Sequence, residues 1–202
     1  MEDLLKKLAA YPNSDTVANP YLEIYAVENL RHYFEYMLNL GGKRILLVGE
    51  APGHRGCRIT GIPFTSGRVF QEIPHPLLVA LKEKITLPYI EAESTATIVW
   101  NYLIDKTTTP LFWNSFPFHP HEKDQPKGNR CPTDEEVNFG AEILKSLHGI
   151  YKPELVAGIG HRGLAAVKRA FSEQSFCYIR HPSNGGKSLF IEGMNTVIYH
   201  TP

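Results

Sequence analysis

The chain has 202 residues, 43% of them hydrophobic and 21% charged. That length suits one domain on the usual scale of roughly 150 residues with a small addition, and the composition excludes disorder, collagen and coiled coil as the main architecture. Lys plus Arg and Asp plus Glu both number 21, so the net charge is zero, which excludes a strongly electrostatic DNA coater but not a small basic patch that reads one nucleotide.

Residues 1–10 are amphipathic and carry Glu2 and Asp3, so they do not read as a signal peptide. No apolar run reaches the ~18–20 residues of a membrane span. Cys57, Cys131 and Cys177 are odd in number and widely spaced. They fit a reducing cytoplasm and give no disulfide framework.

Leu22, Ala26, Leu30, Tyr33 and Met37 recur on one face and predict an amphipathic helix over 20–40. Asn19-Pro20 starts it and Gly41-Gly42 stops it. The apolar run 44–48 predicts a strand buried on both faces. The Gly- and Pro-rich stretch 49–64 reads as loop. Helices are expected over 77–84 and 94–106, a second strand over 111–113, and a long Pro-rich loop over 115–131. Thr133 with Glu136 forms a capping box at the start of the next helix. A strand over 155–157, a helix over 163–172, a strand over 176–179 and a last helix or strand complete the chain. This alternation predicts an α/β fold with a parallel sheet covered on both faces. In such sheets ligands bind at the carboxyl ends of the strands.

Gly158-Ile159-Gly160-His161-Arg162-Gly163 matches G-x-G-x-x-G between a strand and a helix. The acid expected about 20 residues later is absent. We read the motif as a tight strand-to-helix turn, with a dinucleotide site as the other reading. Asn184-Gly185-Gly186-Lys187-Ser188 ends like a P-loop but lacks its first Gly, since that place is His181. His119, His121, Glu122 and Asp124 match none of the strong zinc spacings. Two close histidines in a Pro-rich loop are expected to be solvated, and no metal is expected.

Glu50 follows the first strand, Asn114 closes the second, and His181 follows the fourth. All three sit at strand carboxyl ends of one sheet, so the fold brings them together. Phe64, in the loop after the first strand, is an aromatic that can stack on a planar ligand. Each residue alone has a plain structural reading; their joint placement points to a site.

Together the motifs resemble the uracil-DNA glycosylase superfamily, in its GEAPG-bearing branch often called family 4. The matching residues are Gly49-Glu50-Ala51-Pro52-Gly53, Pro63-Phe64 with Gly67, Asn114, the segment from Asn129 to Glu136, Pro153-Glu154-Leu155-Val156 and His181-Pro182-Ser183. They occur in the family's order over about residues 43–195. The resemblance implies a three-layer αβα sandwich with a short four-stranded parallel sheet. It implies a single domain over 1–202, a helical segment 1–42 preceding a core 43–202.

It also implies DNA as partner and removal of uracil or a related deaminated base. Phe64 would stack on the extruded base, and Asn114 would read N3–H and O4. Cytosine reverses that donor–acceptor pattern. His181 would donate to O2 as the base becomes an anion, and Glu50 would place or activate the attacking water. Catalysis is thus assigned to Glu50 and His181, and substrate binding to Ala51, Gly53, Phe64, Asn114, Asn129 and Ser183. Backbone N–H groups near Gly53 and Gly185, with the Ser183 hydroxyl, would hold flanking phosphates.

Family 4 members carry four cysteines around an iron–sulfur cluster; the three here stand elsewhere, so no cofactor is expected. The best-known branch has an Asp where Ala51 stands, so water activation rests on Glu50 or another group. It has a Tyr where Gly53 stands to exclude thymine, which leaves thymine exclusion open. Asn184-Gly185-Gly186 replaces the usual Leu wedge, which favours single-stranded or mismatched DNA. No Lys stands in the matched motifs, so the expected enzyme is monofunctional, with water as nucleophile. A monomer is expected. Two alternatives remain: a non-catalytic binder of damaged or single-stranded nucleic acid, and a small-molecule enzyme binding a dinucleotide at 158–163.

Overall fold

The structure is a computed structural model and describes residues 1–171 and 176–199. Helix α1 (Glu2–Ala9) buries Leu4, Leu5 and Leu8. Strand β1 (Val17–Ala18) leads into a 3-10 turn, Pro20–Leu22. The Asn19 side chain holds this corner. Its Oδ1 accepts from the Tyr21 N–H, and its Nδ2 donates to the Leu8 and Tyr11 carbonyls. Helix α2 (Ile24–Asn39) therefore starts later than the periodicity predicts, and Leu22 lies outside it, 45% exposed. The other members of the predicted face, Ala26, Leu30, Tyr33 and Met37, are buried.

Strand β2 (Ile45–Gly49) is buried at every position. The next stretch is not all loop: α3 (Cys57–Thr60) forms a single turn inside it, closed by Gly61 at φ 72°. Helices α4 (Gly67–Glu72), α5 (Pro76–Lys82) and α6 (Ser94–Leu103) follow, then strand β3 (Leu111–Asn114). Strand β4 (His119–Pro120) pairs antiparallel with β1.

That pairing corrects the expectation of solvated histidines: His119 and His121 are both buried. The loop that carries them is fastened to the core by aromatic packing. Tyr11 stacks on Phe118 at 4.3 Å between ring centroids, and Phe116 and Phe139 meet the same cluster. His119 Nδ1 lies 2.8 Å from the Pro52 carbonyl oxygen, which ties this loop to the one after β2.

Helix α7 (Asp134–Tyr151) begins with the predicted capping box. Thr133 Oγ1 accepts from the Glu136 N–H, and Glu136 Oε2 accepts from the Thr133 N–H. Strand β5 (Leu155–Ile159), helix α8 (Gly160–Ala170), strand β6 (Cys177–Ile179) and helix α9 (Lys187–Tyr199) complete the chain. Helix α8 starts earlier than the expected 163–172, and residue 172 lies outside the described residues.

The main sheet has the order β3-β2-β5-β6 and is parallel throughout. Because β2 and β3 are buried at every position, helices cover both faces. This is the αβα arrangement the alternation predicts. From β2 the chain crosses to β3 on one side and later to β5 on the other. The loops at the strand carboxyl ends part there, which opens a crevice. Two of the G-x-G-x-x-G glycines are explained by close packing, and the third, Gly160, by its φ of 75°. A Cβ on Gly163 would overlap the Val48 carbonyl oxygen, and one on Gly158 would overlap the Leu164 backbone. Among the described residues no helix is long and apolar enough to cross a membrane.

Candidate active site

A cleft of about 270 Å³ opens at the carboxyl ends of the strands. Its lining includes Glu50, Ala51, Gly53, Phe64, Asn114, Asn129, His181 and Ser183, all eight residues singled out from the sequence. The sheet register sets their spacing. Gly49 of β2 pairs with Asn114 of β3, so Asn114 ends its strand beside the start of the Glu50 loop. His181 follows β6 at the opposite edge of the sheet.

Asn114 is buried, yet its amide makes no hydrogen bond among the described residues. Both its donor and its acceptor are therefore available to a ligand in the cleft. Next to it, Gly49 makes room for Phe64. A Cβ at Gly49 would overlap the Phe64 ring and lie 3.3 Å from Asn114 Oδ1. Phe64 adopts φ 57°, a left-handed conformation that bulky residues rarely accept. The surroundings impose it. Trp100 Nε1–H donates to the Phe64 carbonyl at 2.9 Å, and the ring packs on Phe112 at 5.1 Å. Thr60 and Thr65 brace the preceding turn through their hydroxyls and the Ile62 carbonyl. Strain held in this way by several contacts is typical of functional loops.

His181 is half-buried, and its tautomer is fixed by its neighbours. The Ser183 N–H donates to His181 Nδ1 at 3.2 Å, and Ser183 Oγ lies 2.7 Å from the same nitrogen. A nitrogen that accepts from a backbone N–H carries no proton, so the neutral ring carries its proton on Nε2. Nε2 has no partner among the described residues. Burial, with a contribution from the Arg180 charge, lowers the His181 pKa below the ordinary histidine value. Near neutral pH the ring is thus an uncharged Nε2–H donor. The Ser183 hydroxyl, expected at a phosphate, is engaged with His181.

Glu50 stands where the cleft meets a second hollow of about 190 Å³ that Arg162 and Arg169 help to line. Its Oε1 is buried without a hydrogen-bond partner, and the nearest cation, Arg162 Nε, is 3.9 Å away. Leaving a buried carboxylate oxygen unsatisfied costs free energy, which marks Glu50 as a functional candidate. The Cys131 thiol beside it is pushed up, chiefly by the Glu50 carboxylate.

Arg130 also lines the cleft, but its cation is committed. Its Nη atoms donate to both Glu136 oxygens at 2.7 and 2.6 Å, and to the Cys131 and Thr16 carbonyls; Nε donates to the His121 carbonyl. All five N–H donors are occupied. Arg130 thereby anchors the segment that places Asn129, exposed at the cleft rim.

Sequence reasoning did not single out Cys57, Glu93, Thr95, Pro120 or Arg130 as lining residues. Glu93 matters most. It immediately precedes α6, and the one available signal was an acid at a helix start, which ordinarily faces solvent. Among the described residues no group of three or more His, Cys, Asp and Glu gathers as a metal site.

Comparison with known proteins agrees with this geometry. Residues 37–200 match the family described as the uracil DNA glycosylase superfamily. No curated protein sequence matches the chain. The crystal structure of wild-type SMUG2 from Pedobacter heparinus superposes with a TM-score of 0.67 over 97% of this chain and 95% of that one. At 12% identity that likeness establishes the fold. With a family match over most of its length and a parallel αβα fold, the chain belongs to the uracil DNA glycosylase superfamily.

Proposed function

We propose that the protein hydrolyses the N-glycosidic bond of uracil, or a related deaminated base, in DNA. One observation carries the reading: the Asn114 amide and the His181 Nε2–H are both unspent and face one cleft beside the Phe64 ring. Uracil presents acceptor, donor and acceptor along O2, N3–H and O4. His181 serves O2, and the Asn114 amide accepts from N3–H and donates to O4. Cytosine would leave both ends of the amide opposed, a mismatch that can reach several powers of ten.

The base must leave the stack to enter the cleft. As the C1′–N1 bond breaks, its electron pair passes to the base. The Nε2–H of neutral His181 stabilises the charge arriving at O2, and it does so from a fixed position. Water bound at Glu50 attacks C1′, and its proton passes to the carboxylate. Because no lysine lines the cleft among the described residues, the reading has water as nucleophile and an abasic site as product, with the sugar never linked to the protein. Arg162, whose guanidinium makes no hydrogen bond among the described residues, and the backbone at Gly53 and Gly185 are suited to flanking phosphates.

Single-turnover base release from single-stranded oligonucleotides tests the reading. Uracil should be released and cytosine retained. Retention of both would leave the protein a binder of nucleic acid on the same fold.

A further inference from the structure

The edge of the sheet beside His181 carries an aromatic pair that the mechanism does not use. Strand β6 ends the order β3-β2-β5-β6, so only β5 flanks it. Its side chains alternate between the two faces of the sheet. Ile179 is buried on the α9 side, where a Cβ on Gly193 would lie 3.2 Å from its side chain. Tyr178 therefore faces α8, and there it stacks on His161, with 4.8 Å between ring centroids and 23° between planes. Its Oη lies 3.4 Å from His161 Nε2. Both residues are exposed, Tyr178 at 38%. Each ring spends one face on the other, and among the described residues no further ring stacks on either.

Three observations point to its occupant. The pair adjoins the site: a Cβ on Gly160, the residue before His161, would stand 3.4 Å from His181 Cβ. Its surroundings are basic in a chain of zero net charge. Arg162 follows His161, Arg180 precedes His181, and Lys187 opens α9. Among the described residues Arg180 and Lys187 have no carboxylate partner, and Arg162 has only Glu50, at 3.9 Å. Finally, Asn184-Gly185-Gly186 after the His181 loop offers no apolar side chain to fill the gap that an extruded base leaves. Resting on the reading above for where that base sits, we propose that Tyr178, backed by His161, is a stacking platform for a base flanking the extruded one in single-stranded DNA.

Two physical terms work together. An aromatic ring accepts any base, because every base has a π-face, and the neighbouring cations hold the phosphates. The stack on Tyr178 replaces, within the complex, the stacking that extrusion removes. In a duplex the flanking bases are already stacked and paired, so the platform favours a single strand.

The test measures affinity for single-stranded oligonucleotides by fluorescence anisotropy, for the wild type, Tyr178→Ala, Tyr178→Thr and Tyr178→Phe. Each oligonucleotide carries one 2′-fluorinated deoxyuridine, whose glycosidic bond resists hydrolysis. Two further oligonucleotides lack the base on one side of it or on the other. Tyr178→Ala and Tyr178→Thr should weaken binding about 5- to 100-fold, the range of one stacked base. Tyr178→Phe keeps the ring and should bind like the wild type. Removing the flanking base on one side should weaken the wild type to a similar degree and leave Tyr178→Ala almost unaffected, because both changes remove one interaction. Thermal melting establishes which variants are folded. Unchanged affinity in a folded variant without the ring overturns the inference. So does a wild type that binds equally well with either flanking base removed, whatever the variants do. Uracil release by the wild type from an ordinary oligonucleotide is measured in parallel. Release together with either of those results leaves the proposed function standing without the platform. The expected coupling without any release overturns hydrolysis and leaves the platform standing.

Discussion

Glu50 and His181 do their work through single atoms whose partners are missing or fixed. Glu50 Oε1 is buried and unsatisfied, and His181 is held as the Nε2–H tautomer by Ser183. Glu50→Gln keeps the shape but removes the proton acceptor. Single-turnover release of uracil should fall about 10²- to 10⁴-fold, with oligonucleotide affinity nearly unchanged. A fall in affinity of the same size would move Glu50 from chemistry to binding. Most of these residues were legible because strand ends are legible: a short apolar run stops, and a polar residue follows. Glu93 was hidden for a physical reason. The stretch Glu91-Ala92-Glu93-Ser94 looks like a solvated helix start. Its enclosure comes from Gly53 and Gly56, some forty residues earlier.

Among the elements, the segment between β4 and α7 shows how a loop is made rigid. Arg130 and Glu136 pair with little exposure, and the same carboxylate completes the α7 capping box. Burial alone would raise the Glu136 pKa, but Arg130 and the Thr133 N–H hold it below the usual carboxylate value. Removing one partner from such a pair leaves the other charge enclosed. Arg130→Ala should cost about 3 kcal/mol in urea unfolding, and release of uracil should fall as Asn129 loses its anchor. A loss near zero would mean that the segment is held without the pair. The capping box was legible, since its two residues are three apart. The pairing of β4 with β1 was not, because its two-residue strands lie about a hundred residues apart and carry no period. For that reason His119 and His121 read as solvated when they are core.

At the scale of the whole molecule the fold depends on buried neutral histidines. His75 Nδ1 accepts from the Leu77 N–H at the start of α5, and Nε2 lies 3.3 Å from Thr109 Oγ1. Burial lowers its pKa to about 4. The unfolded chain therefore binds a proton that the folded chain refuses. Stability is full above about pH 6.5 and declines as pH falls toward 4, by roughly 3 kcal/mol for this group. His119 and His181 are shifted in the same direction and add to the loss. Thermal midpoints measured from pH 7 to 4.5 should fall steadily, and His75→Gln should flatten part of that slope. A midpoint independent of pH across this range would contradict the account. The global architecture was the most legible level. Apolar runs at 45–48, 111–113 and 155–157 could only be interior strands, and the helices between them required a parallel order.

The central claim is that a neutral imidazole donor stabilises the departing base. The direct measurement is single-turnover release of uracil from a single-stranded oligonucleotide by the wild type and by His181→Ala, with binding measured in parallel. The account predicts an abasic product from the wild type and a loss of about 10²- to 10³-fold in His181→Ala, with binding little changed. Equal rates in the two proteins, or no product from the wild type at high enzyme concentration, would contradict it.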